Sequence, residues 1–146
     1  MTDLQNIMER EWQNVRKSFY YPQLPQPKLA EEVPNAQFNF ENLQISVSPK
    51  YIGVLAGEGC REDTALNAIL GHETGHFVDY PGSVLNLLRL HKVARESLNE
   101  QEAYTARESF LNVQNNTNLV KNRNYESIPP TLKAGKKGIE GINKII

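Results

Sequence analysis

The sequence predicts an α+β fold, a small, mainly antiparallel sheet packed on three or four helices. Two observations carry that expectation. Apolar residues recur at helical spacing in four stretches, near 2–19, 61–80, 83–93 and 97–119. Between the first and second lies a short region of alternating apolar and polar residues, from Phe38 to Val47. At 146 residues the chain is long enough for one core and too short for two.

In the first stretch Leu4, Ile7, Met8, Glu11, Trp12 and Val15 fall on one helical face, so a helix docked by Trp12 is expected. Pro22, Pro25, Pro27 and Pro34 follow, a density that predicts an extended linker with no regular element. Phe38 and Phe40 alternate in one parity and Leu43, Ile45 and Val47 in the other, which predicts a turn or bulge near Glu41–Asn42. Tyr51, Ile52, Val54 and Leu55 read as a third short strand. The next helix starts near Arg61–Asp63 and stops before Pro81-Gly82. Ser83 is placed to cap a helix through Val93, and a further helix runs from about Ser97 to Leu119 with Ala103, Ala106, Phe110 and Val113 on one face. Pro129-Pro130 closes the ordered part. The expected organisation is an N-terminal helix and linker over 1–34, a main domain over 35–130 and a tail over 131–146.

Net charge is −1 and the isoelectric point near 6.3, which gives no general attraction to nucleic acid or to an anionic membrane. No apolar run approaches the ~18 residues of a membrane span. Residues 1–19 are too charged for a signal peptide. With Cys60 alone there is no internal disulfide and no cysteine-built zinc site. A monomeric cytoplasmic protein is the expectation.

Residues 72–76 read His-Glu-Thr-Gly-His and hold two of the three histidines. Four residues on a helix is one turn plus about 40°, so both imidazoles leave the same face. They are then spaced to bind one Zn²⁺ at about 2.0–2.1 Å. Glu73 turns toward the same cleft, where it suits a general base on a zinc-bound water and later an acid toward a leaving amine. Such a site wants a third protein ligand and one open position. His91, Glu96, Glu100 and Glu102 are the candidates by position. Ser97 with Glu100, and Asn99 with Glu102, also fit helix capping boxes. Asp79 is either a partner of the site or a helix-end charge. Tyr51, Tyr80, Tyr104 and Tyr125 are candidates to steady an oxyanion. Cys60 reads as an idle buried thiol.

His72-Glu73-Thr74-Gly75-His76 followed by Asn99-Glu100-Gln101-Glu102-Ala103 resembles the gluzincin clan of zinc metallopeptidases, most closely the minigluzincins, over about residues 37–120. The resemblance implies a zincin-like fold, hydrolysis of peptide bonds in a peptide or protein substrate, His72, His76 and Glu100 as metal ligands, and Glu73 as the catalytic residue. It also implies that the cleft can be filled by the chain itself. In many relatives an acid or amide lies four residues after the glutamate; after Glu100 that position is Tyr104. The rival expectations are a zinc module or proenzyme that cuts nothing by itself, and a helical interaction protein with a chance motif. A strand near Ile45–Tyr51 is expected to pair with extended substrate. The glycines at 135, 138 and 141 argue against a helix in the tail, while Ile139, Ile142, Ile145 and Ile146 suggest a strap docked near the cleft.

Overall fold

The computed structural model describes residues 3–145, with side chains through Gly138. It is mainly helical, with six helices and one three-stranded sheet among the described residues. The elements are α1 (Asp3–Ser18), β1 (Lys28–Leu29), β2 (Ala36–Phe38), β3 (Ile45–Val47), α2 (Pro49–Gly57), α3 (Glu62–Val78), α4 (Val84–Arg95), α5 (Glu100–Asn122) and α6 (Ile128–Ile145). No helix among the described residues is long and apolar enough to cross a membrane.

The centre of the fold is α3. It touches α1, α2, α5, α6, β2 and β3. Its buried residues, among them Leu66, Ile69, Leu70, Gly71, Glu73 and Thr74, go round the whole helix rather than along one stripe, as expected of a helix enclosed by others. Helix α1 packs against it through Met8, Trp12 and Val15, the face the periodicity predicts. Glu11 is buried on that face because the Asn67 side-chain amide of α3 donates to it at 3.2 Å.

The sheet is mixed, in the order β1-β3-β2. Strands β2 and β3 form the expected antiparallel pair, with Phe38 opposite Ile45 and Ala36 opposite Val47. The turn falls where the alternation changes phase, and the Asn39 and Asn42 side chains accept from the backbone of Glu41 and Gln44. The prolines did not exclude all pairing. Lys28 and Leu29 lie between Pro27 and Pro34 and pair parallel to β3, so the sheet is not mainly antiparallel.

Two further expectations are corrected. Residues 51–55 are helical, within α2. Ser48 caps this helix by accepting from Tyr51 N, Pro49 occupies its first turn, and Ile52 and Leu55 are buried one turn apart. That start signal outweighs a short apolar run. The tail is also a helix, α6, with Pro129 and Pro130 in its first turn, where their missing N–H groups cost nothing. The buried glycines 135 and 138 lie against α2. A Cβ on Gly138 would stand 2.7 Å from a Val54 methyl, and one on Gly135 would stand 3.2 Å from the Tyr51 hydroxyl. The glycines therefore bring two helices close, and this contact offsets their poor propensity. The side chains of Ile139, Ile142, Ile145 and Ile146, expected to dock as a strap, lie outside the described residues.

Helix α4 starts at the predicted Ser83 cap, packs on α5 and buries no residue. Helix α5 starts with the Asn99–Glu102 capping box. Its buried face is Ala103, Leu111, Asn115 and Leu119, not the Ala106–Phe110–Val113 face, since Phe110 and Val113 are exposed.

Two glycines separate propensity from packing. No atom lies within 4 Å of a Cβ built on Gly53 in α2, so Gly53→Ala is expected to stabilise by about 0.5–1 kcal/mol. Gly138→Ala gains the same propensity but meets Val54, and is expected to be net destabilising, since overpacking costs about 1–3 kcal/mol. Urea denaturation of the two variants checks the opposite signs.

Candidate metal centre

His72, Glu73 and His76 all come from the second half of α3. The imidazole rings meet edge to face, with centroids 4.5 Å apart and the two Nε2 atoms 3.0 Å apart. Each ring is held from behind. His76 Nδ1 donates to the Tyr80 carbonyl at 2.6 Å, and His72 Nδ1 lies 2.7 Å from Asn116 Oδ1. A carbonyl oxygen only accepts, so His76 carries its proton on Nδ1. The Asn116 oxygen, as placed, selects the same tautomer of His72.

Burial disfavours the charged form of both rings. The pKa of His72 is lowered by desolvation, with the Asn116 and Asn112 side chains beside its ring nitrogens opposing. That of His76 is lowered by desolvation and then by the neighbouring His72. With Nδ1 protonated on both rings, the two Nε2 atoms are the nitrogens available to a cation. Asn112 Oδ1 lies 3.1 Å from His72 Nε2 and adds a third acceptor. Two nitrogens each about 2.0–2.1 Å from a tetrahedral zinc would stand about 3.3 Å apart. The donor set and its spacing therefore fit a cation after a small opening of the rings.

Helix α5 supplies the wall opposite. The Asn115 side chain is fully buried and donates to the His72 backbone carbonyl at 2.7 Å. Gly75 makes room for it: a Cβ there would lie 2.1 Å from Asn115 Oδ1. Among the described residues that buried oxygen has no hydrogen-bond partner. A polar cavity of about 560 Å³ opens between α3, α5 and β2, bounded by Gln37, Phe38, His76, Tyr104 and Glu108. A second, more apolar one of about 510 Å³ lies toward α6, and His72, Glu73 and Asn112 border both.

Of the expected site residues, the structure brings together His72, Glu73 and His76. Glu100 is not with them. It is the first residue of α5, largely exposed, and engaged by His91 at 2.8 Å and Arg95 at 3.2 Å. Glu102 belongs to the capping box, and Glu96 ends α4. The acid that borders the cleft is Glu108, two turns further along α5, and its charge acts on both Glu73 and His76. The Arg107 guanidinium holds its carboxylate at 2.8 Å. Among the described residues no three His, Cys, Asp or Glu side chains are grouped as a metal would need. The sequence reading missed Glu108, Asn112 and Asn116. Their signal is the spacing of four from Glu108 to Asn112 to Asn116, which lines all three on one helix face.

The remaining candidates resolve simply. Asp79 ties α3 to α5 by accepting from Asn118 and Arg123 at 3.0 Å. Cys60 is buried beside Thr131. The Tyr125 hydroxyl bonds Ser18. Tyr80 contributes its carbonyl, and Tyr51 and Tyr104 line the two cavities. No protein-family model, curated protein or solved structure matches the chain.

Glu73 is buried, and desolvation raises its pKa to about 7, with His76 opposing and Glu108 adding to the rise. The folded protein then holds a proton that the unfolded chain releases near pH 4.5. Its contribution to stability is full below that pH and is lost as pH rises through about 7. Metal-free wild type is expected to lose on the order of 3 kcal/mol relative to Glu73→Gln between pH 4.5 and 7. Parallel urea titrations across that range measure the difference; a flat difference would mean that Glu73 is hydrated.

Proposed function

We propose that the protein is a zinc-dependent peptidase of zincin-like architecture, related in its site to the gluzincins. The observation that carries the reading is the approach of the His72 and His76 Nε2 atoms to 3.0 Å, with the buried Glu73 carboxyl on the same helix. In this reading His72 and His76 hold the zinc. Glu108 takes the place that the resemblance assigns to Glu100, because it borders the cleft and is followed four residues later by Asn112. Its carboxylate leaves Arg107 to do so.

When bound, the zinc would acidify a water and polarise the scissile carbonyl. Glu73 accepts the proton of the attacking water and passes it to the leaving amine. Its burial beside the histidines places the carboxyl within the cleft for both transfers. Asn116 and the Tyr80 carbonyl keep each ring turned with Nε2 toward the cleft.

Substrate pairing with β3, as the Ile45–Tyr51 reading has it, is blocked, since β1 and β2 occupy both sides of that strand. Strand β2 is at an edge of the sheet, and Ala36, Gln37 and Phe38 border the cleft. An extended peptide added along β2 would pass His72 and Glu73.

One zinc per chain is expected, lost in His72→Ala and in His76→Ala. Glu73→Gln should keep the metal and lose at least ~10²-fold in peptide hydrolysis. Protein purified with zinc supplementation that carries no stoichiometric metal would sink the reading. A separate comparison settles the carboxylate. Glu108→Ala is expected to weaken zinc at least ~10-fold, and Asn116→Ala by about the same factor, while Glu100→Ala leaves affinity unchanged.

A further inference from the structure

The apolar cavity beside the histidines is not needed to hold a metal or to move a proton. It lies between α3 and α6. Its α3 side is Ala68 and Ile69, one turn before His72 and Glu73. Its α6 side is Ile128, Leu132 and Lys136, which recur every four residues along one helix face. At about 510 Å³ it is of the size of a small-molecule site and large enough for one bulky amino-acid residue. Leu132 remains 54% exposed, an apolar side chain at the rim.

Lys136 lies on the α6 side of this chamber. Among the described residues it is the only lysine or arginine on the wall, and it makes no ion pair or hydrogen bond with them. The other polar groups on the wall away from the histidines are neutral: Asn35, Tyr51 and Thr131. A ligand that satisfies the whole chamber combines a large apolar group with one anion. Within the peptidase reading, the peptide group with that chemistry is a carboxyl-terminal residue bearing an apolar side chain.

We propose that the chamber between α3 and α6 binds the carboxyl-terminal residue of the substrate, its apolar side chain against Ile69, Ile128 and Leu132 and its carboxylate on Lys136. The assignment rests on the peptidase reading for its place in catalysis. The binding itself requires no metal. The residue after the scissile bond is then the last of the chain, and the enzyme removes apolar residues from peptide ends. Glu73 and the histidines lie where the chamber meets the polar cleft, so the bond to be cut spans the junction of the two cavities.

The test uses the full-length, metal-free protein and four probes, N-acetyl-L-leucine, N-acetyl-L-phenylalanine, N-acetyl-L-leucinamide and N-acetylglycine. Binding is followed by the methyl resonances of Ile69, Ile128 and Leu132. The two apolar acids are expected to shift these methyls saturably, and N-acetylglycine is not. The amide should bind about fivefold more weakly than the acid, the upper end of what a partly exposed ion pair supplies. Lys136→Met lies on an exposed position and should abolish the preference for the acid while leaving amide binding unchanged. Equal binding of acid and amide, or a preference that survives Lys136→Met, overturns the assignment of the carboxylate. Equal binding of N-acetylglycine, or no binding of any probe, overturns the chamber as a side-chain site. Neither result touches the zinc titration, so failure here and failure of the peptidase reading are told apart.

Discussion

The structure depends on the enclosure of α3. A helix surrounded on all sides would ordinarily be apolar throughout, yet this one carries Glu73 and Thr74 into the interior and sets two half-buried imidazoles beside them. Each such group must find a partner inside the protein or bear its desolvation cost. Thr74 satisfies itself on the Leu70 carbonyl one turn back. The histidines are satisfied by the Tyr80 carbonyl and by amides of α5. This need explains why the face of α5 against α3 is rich in asparagine, where a packing helix would usually present leucine. It also explains Gly75, which accommodates Asn115 at a separation no Cβ would allow. Gly71 makes the same room for the Tyr125 ring, a packing contact.

Burial has an electrostatic consequence. It pushes Glu73 up toward its acid form and both histidines down toward their neutral forms, so the cluster resists carrying any charge. Each shift has desolvation as its first cause, and the neighbours modify it. A cation between the rings would reverse this preference, favouring the lone pairs as donors and the carboxylate over the acid. The apolar surroundings that make the bare site costly are the same surroundings that would strengthen its hold on a metal.

Much of this arrangement was legible in the sequence, and the part that was legible is local. The Trp12 face of α1, the turn at Glu41–Asn42, the Ser83 cap and the extent of α3 follow from periodicity and capping, which act over a few residues. What was misread depends on distant partners. Lys28 and Leu29 became a strand because β3 offered its free side, and α6 became a helix because α2 presents a surface that glycines fit. Residues 51–55 are a different case. The Ser48–Pro49 start signal was local and visible, and a run of apolar residues was allowed to outrank it.

The distance of Glu100 from the histidine pair has the same physical root. Glu100 and Glu108 are both on α5, two turns apart, and sequence spacing cannot say which turn of one helix lies opposite a given turn of another. That register is set by contact, and the contact is Asn115 on the His72 carbonyl across Gly75. Once Asn115 is fixed there, Asn112 and Asn116 fall on either side of the His72 ring, and Glu108, one turn before Asn112, falls at the cleft. Glu100 is left two turns further back, at the end of α5 where His91 and Arg95 of α4 reach it. An asparagine inside an otherwise apolar helix face, opposite a glycine within a histidine motif, is therefore the feature that fixes which acid of α5 borders the cleft.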